Sequence, residues 1–115
     1  MLFTDSLRRI WLFTKPTDMR KSFDGLTALV RNELNERPLS GDWFVFVNNR
    51  KTLLKVLYFD GSGFCIWLKR LEQGQFNCGT CRDKKRRLKL TDLQLILDGI
   101  KIEKARQYKR FRIAD

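Results

Sequence analysis

Six cations within eight residues, Arg82, Lys84, Lys85, Arg86, Arg87 and Lys89, form the group in this chain best suited to holding a ligand. The chemistry they offer is the capture of phosphate, with counterions released as each contact forms. A second cluster follows, Lys104, Arg106, Lys109, Arg110 and Arg112. Tyr108 and Phe111 interleave with it, and such rings can stack on unpaired bases or pack in an interface. Residues 82–112 hold 12 of the 24 Lys and Arg against four acids, 12 − 4 = +8. Residues 1–81 carry 12 − 8 = +4 and Asp115 removes one, for a total of +11. A basic region of this kind points to a polyanionic partner. It carries no means of reading sequence, because phosphate contacts position a protein without specifying bases.

Other candidate chemistries are poorly supplied. Cys78-Gly79-Thr80-Cys81 has the spacing of half a zinc knuckle, but Cys65 is the only further cysteine and histidine is absent. A closed zinc site needs four such ligands. The strand-then-helix setting of a redox CxxC pair is missing as well. Among the carboxylates Asp18, Asp24, Asp60 and Asp83, Asp18 reads as a helix cap and Asp60 as a turn residue, which leaves no convergent set for two-metal chemistry. No catalytic residue, metal or cofactor is therefore expected. Two further cation pairs stand out: Arg20-Lys21 at a helix start, mildly unfavourable against the helix dipole, and Lys69-Arg70 near a strand end.

The elements that position these residues follow from hydropathy. At 115 residues, 43% of them hydrophobic, the chain suits one domain with a real core. Residues 1–102 are expected to form it, with 103–115 a basic extension or tail. No apolar run approaches a membrane span, and residues 1–10 lack the apolar core of a secretion signal. With an odd number of cysteines, this favours a reducing cytoplasm. Residues 9–14 read as a strand with Ile10 and Leu12 on one face and Trp11 and Phe13 on the other. Thr17 or Asp18 then caps a long helix whose stripe is Met19, Phe23, Leu26, Val30 and Leu34, with Gly25 allowing close packing on a neighbouring sheet. Residues 43–47 are apolar throughout, as in a strand covered on both faces; 53–59 alternate; and Asp60-Gly61-Ser62-Gly63 is a hairpin turn leading to a return strand over 64–71. Residues 72–87 show little periodicity. Thr91 and Gln94 resemble a capping box for a short helix with the stripe Leu93, Leu97, Ile100, closing near Gly99. The predicted class is α+β: an antiparallel meander of about four strands, one long helix packed on a face, and a short C-terminal helix.

Three stretches carry a family resemblance: residues 16–26 (PTDMRKSFDGL), 56–67 (VLYFDGSGFCIW), and Lys69-Arg70-Leu71-Glu72 with Gly74 and Phe76. Together with the segment around Leu90-Thr91-Asp92-Leu93-Gln94, they resemble the TnpB accessory proteins, the second open reading frame product of insertion sequence 66 elements. The resemblance implies a small bacterial protein that assists a separate DDE-type transposase. It places recurrent positions on Asp18, Met19, Arg20, Lys21, Asp24, Gly25, Asp60, Gly61, Gly63, Trp67, Lys69 and Arg70. The chain departs from the family between Phe76 and Leu88, where many relatives carry a tryptophan-proline. The expected function is a non-enzymatic accessory factor for DNA transposition, with DNA and the transposase of the same element as partners. Its expected nucleic-acid-binding residues are Arg20, Lys21, Lys69 and Arg70 from the resemblance, and Arg82, Lys84, Lys85, Arg86, Arg87 and Lys89 from charge. The alternatives are an interaction module that docks the transposase without touching DNA, and a small histidine-free ribonuclease.

Overall fold

The computed structural model describes residues 8–99. The elements run β1 (Ile10–Phe13), α1 (Phe23–Asn32), a 3-10 turn (Pro38–Ser40), β2 (Trp43–Val47), β3 (Leu53–Phe59), β4 (Phe64–Arg70), β5 (Lys85–Leu88) and α2 (Leu90–Leu97). The class is α+β, but the sheet is mixed and has five strands, in the order β4-β3-β2-β1-β5.

Strands β2, β3 and β4 form an antiparallel meander through short turns, as their linkers predict. Asp60 closes the β3–β4 turn, its Oδ1 accepting the N–H groups of Ser62 and Gly63 at 2.9 Å each. The four-strand meander fails at β1, which pairs parallel to β2 with Ile10 opposite Trp43. The cause lies in the connection: residues 14–42 pass through α1, and a link of that length permits the crossover that parallel strands require. The unpredicted fifth strand, β5, lies antiparallel to the other side of β1, with Ile10 opposite Leu88 and Phe13 opposite Lys85.

Each face of the sheet is covered by one helix. Ile10, Leu12, Trp43, Val45, Val47, Leu54 and Val56 pack with Leu93 and Ile96 of α2. Phe13, Phe44, Phe46 and Leu57 pack with Leu26, Val30 and Leu34 from α1 and the turn after it. Alternation along β1, β2 and β3 thus assigns faces as the sequence pattern implies, and β2 is buried at every position.

The helix over the second face is shorter than its apolar stripe. It spans ten residues from Phe23, and neither Thr17 nor Asp18 caps it. Two interactions hold the preceding segment out of helical register. The Thr17 amide donates to the Val47 carbonyl at 2.9 Å, and the Lys55 ammonium takes the carbonyls of Met19 and Lys21, each at 2.8 Å. Those two oxygens would otherwise accept from the first helical turn. Arg20-Lys21 therefore lies in a loop before the helix, not in its first turn. Gly25 also differs from expectation, since the atoms nearest to a Cβ there would be Cβ and Cγ of Lys21, at 3.0 Å each, and not atoms of the sheet. In α2 the cap is Lys89, whose N–H donates to the Asp92 carboxylate at 3.1 Å, in place of the expected Thr91–Gln94 box. Gly99 ends the helix region at φ +74°. Ile100, the second basic cluster, Tyr108 and Phe111 lie outside the described residues.

Candidate nucleic-acid interface

The basic run of residues 82–89 is largely an edge strand. Its sequence Lys-Arg-Arg-Leu has one apolar side chain, and Leu88 is the one that enters the core, opposite Ile10. Side chains alternate from there. Arg86 shares the Leu12 face, while Lys85 and Arg87 share the face of Trp11 and Phe13. Lys89, still extended at φ −83° and ψ 159°, continues the second set, and by register it stands opposite Arg9.

Half of the run is engaged within the fold. The Lys85 ammonium sits 4.6 Å above the Trp11 ring and bonds the half-buried Glu36 carboxylate. Lys84 pairs with Glu33 at 3.5 Å. Arg86 donates from Nη1 to the Cys78 carbonyl at 2.9 Å. Gly79, at φ +72°, lets the loop curl against that guanidinium, for a Cβ there would lie 3.0 Å from Nη1. Burial pushes the Cys78 thiol up from its ordinary pKa, against nearby Lys51 and Arg86. The CxxC segment is in this way a cradle for Arg86. Cys65, Cys78 and Cys81 are all thiols, and no cluster of three metal-ligating side chains occurs among the described residues.

Arg82, Arg87 and Lys89 are exposed, and their side chains make no ion pair with an acid among the described residues. Arg9, which is not among the expected contact residues, is exposed and by register stands opposite Lys89. The Arg8-Arg9 pair ahead of an apolar strand was its only signal, because the register that brings it to Lys89 is a tertiary fact.

The other candidate cations are elsewhere. Lys69 and Arg70 are on β4, the opposite edge, four interstrand steps or about 19 Å from β5 across the sheet. The Lys69 ammonium donates to the Leu97 carbonyl at 3.0 Å, a cation at the C-terminal end of α2, where the helix dipole favours one. With Trp67, Thr91, Gln94, Leu95 and Asp98 it lines an open groove of about 610 Å³. Arg70 pairs with Glu72 at 3.0 Å, and both are well exposed. Arg20 clamps Asp18 at 2.7 Å, and that hydrogen bond is the main reason the Asp18 carboxyl is lowered to a pKa of about 2. Lys21 contributes its carbonyl to Lys55 and keeps an exposed side chain. The ten cations thus fall into separate groups on two edges and a loop.

A family profile described as "IS66 Orf2 like protein" matches residues 8–107, nearly the whole chain. The chain belongs to the TnpB family of insertion sequence 66 elements. It is similar to "Uncharacterized protein y4hO" of Sinorhizobium fredii (strain NBRC 101917 / NGR234), with 37% identity over 92 residues that cover 80% of each chain. "Uncharacterized protein y4jC" of the same organism is 36% identical over 92 residues, covering 80% of this chain and 79% of that one. No solved structure gives a significant match. The stretches that carry the family motif map to the loop before α1 and to the β3–β4 hairpin. Residues 77–87 supply the Arg86 cradle and most of β5.

Proposed function

We propose that this TnpB-family protein is a non-enzymatic accessory factor in transposition that holds DNA by its phosphates along the β5 edge and assists a separate DDE-type transposase. The observation that carries the reading is the strip Arg9, Arg87 and Lys89, with Arg82 in the loop that leads into the other end of β5: exposed cations in a chain of net charge +11, whose side chains make no ion pair with an acid among the described residues. Cations already paired within the fold contribute less, since a phosphate must displace their carboxylate or carbonyl partners. Arg20, Lys21, Lys69 and Arg70 are proposed as a secondary contact zone on the family-motif side. Nothing in this arrangement reads base edges, so affinity should vary little with sequence.

The test is duplex DNA binding across a salt series with Arg82, Arg87 and Lys89 replaced together by Ala. Losing three phosphate contacts should flatten the slope of log affinity against log salt by about 3, with the thermal midpoint unchanged. Lys85→Ala is the contrast, lowering stability by about 1 kcal/mol through loss of its ring and carboxylate partners while changing the slope less. An unchanged slope in the triple variant would sink the reading. A second reading, docking of the transposase, is favoured by Leu39, 59% exposed beside a groove of about 250 Å³ lined by Arg31, Glu36, Arg37 and Pro38. Transposase binding that survives high salt and is lost in Leu39→Asp would support it, because apolar contacts are not screened.

A further inference from the structure

The two edges of the sheet are built to opposite specifications. β5 is four residues long and three of them are cations, the usual way an edge is kept from pairing with another chain. β4 is seven residues long, Phe-Cys-Ile-Trp-Leu-Lys-Arg, without proline, and its first five residues are apolar or cysteine. Leu68 in its middle is 54% exposed.

The hydrogen-bond register shows which of its backbone groups are unused. The Leu71 amide donates to Thr52 at 2.9 Å and the Asp60 amide to Gly63 at 3.0 Å, so both ends of the hairpin are hydrogen-bonded pairs. Alternation between them makes 54–69, 56–67 and 58–65 the bonded pairs of β3 and β4. Phe64, Ile66, Leu68 and Arg70 then aim their N–H and C=O groups outward, and no hydrogen bond reaches those groups among the described residues.

We infer that β4 pairs antiparallel with β4 of a second copy, about a two-fold axis at Trp67, giving one sheet of ten strands. This register matches the outward groups to one another: Phe64 with the second copy's Arg70, and Ile66 with its Leu68, are the hydrogen-bonded pairs. Trp67 meets its own counterpart at the non-bonded position between them, where side chains approach most closely. It is the register in which all seven residues find partners. No like charges face each other, since Lys69 lies opposite Cys65 and Arg70 opposite Phe64. A parallel pairing would instead set Lys69 and Arg70 against their own copies. The exposed Leu68 is covered by Ile66 of the second copy, on the face where Phe64 and Ile66, partly buried, already pack against the core.

The experiment is light scattering of the full chain over a concentration series, with amide hydrogen exchange read residue by residue on the same samples. The expected result is twice the 13.7 kDa of one chain, with the amides of Phe64, Ile66, Leu68 and Arg70 protected in the dimer and exposed on dilution. Leu68→Lys, at a position already exposed, should give a monomer with unchanged circular dichroism. If that variant fails to fold, the dilution series on the natural chain decides alone. A monomeric mass throughout overturns the inference. So does a dimer in which those four amides exchange freely, and so does protection that persists undiluted in a monomer, which would mean a segment of the same chain covers the edge.

Discussion

Asp60 organises the β3–β4 turn with one oxygen. Its Oδ1 accepts the Ser62 and Gly63 amides and the Ser62 hydroxyl, and these bonds, the Ser62 amide first, lower its carboxyl from 3.8 to about 2. A carboxyl with a depressed folded pKa stabilises fully above its unfolded value, and that stabilisation is lost as pH falls from about 4 toward about 2. Asp18, held by Arg20, acts in the same direction. Thermal midpoints should therefore drop through this acid window, and Asp60→Ala should show a shallower drop together with a lower midpoint at neutral pH. A variant with the acid profile of the natural chain would remove Asp60 from this role. This turn was legible from Asp-Gly alone, because its partners, Ser62 and Gly63, lie within the next three residues. The Arg86 cradle was not: a guanidinium can take any backbone carbonyl, and nothing in Cys78-Gly79-Thr80-Cys81 marks which side chain Gly79 makes room for.

Among elements, β5 shows why a strand can be invisible in sequence. Lys-Arg-Arg-Leu has little β preference and one core residue, and pairing with β1 is what makes it a strand. The irregular loop before it is fixed by Phe76, fully buried against the α2 face, whose amide donates to the Lys51 carbonyl at 2.7 Å. Phe76→Ala should cost about 3–5 kcal/mol, a large fraction of what such a domain holds, as read by denaturant unfolding. A loss below about 1 kcal/mol would mean that the loop does not depend on this anchor. The limits of α1 differ from those of its apolar stripe for a related reason. Met19 belongs to the apolar stripe and packs on the α1-side core, yet Lys55, far along the chain, claims the carbonyls that would have extended the helix. Local periodicity identified Leu26, Val30 and Leu34 as buried, but Phe23 of the same stripe is 45% exposed, and periodicity could not see the competitor.

At the scale of the whole molecule, the α+β class and the β2–β3–β4 meander were legible because short linkers and alternation settle them locally. The placement of β1 was not, since a strand separated by residues 14–42 can return on either side and in either direction. Its position between β2 and β5 makes β1, the first of the described strands, wait for the last of them. Non-local pairings of this kind slow folding. In refolding experiments with pulsed exchange, the β1 amides that bond to β5 should gain protection after those joining β2 to β3; simultaneous protection would contradict that order. During synthesis the delay is longer. From Phe13 to Lys85 the ribosome adds 85 − 13 = 72 residues, which takes roughly 4–14 s at about 5–20 residues per second. Until then the nascent chain presents Ile-Trp-Leu-Phe as a bare edge, and the cations of β5 that later seal it are still to be translated.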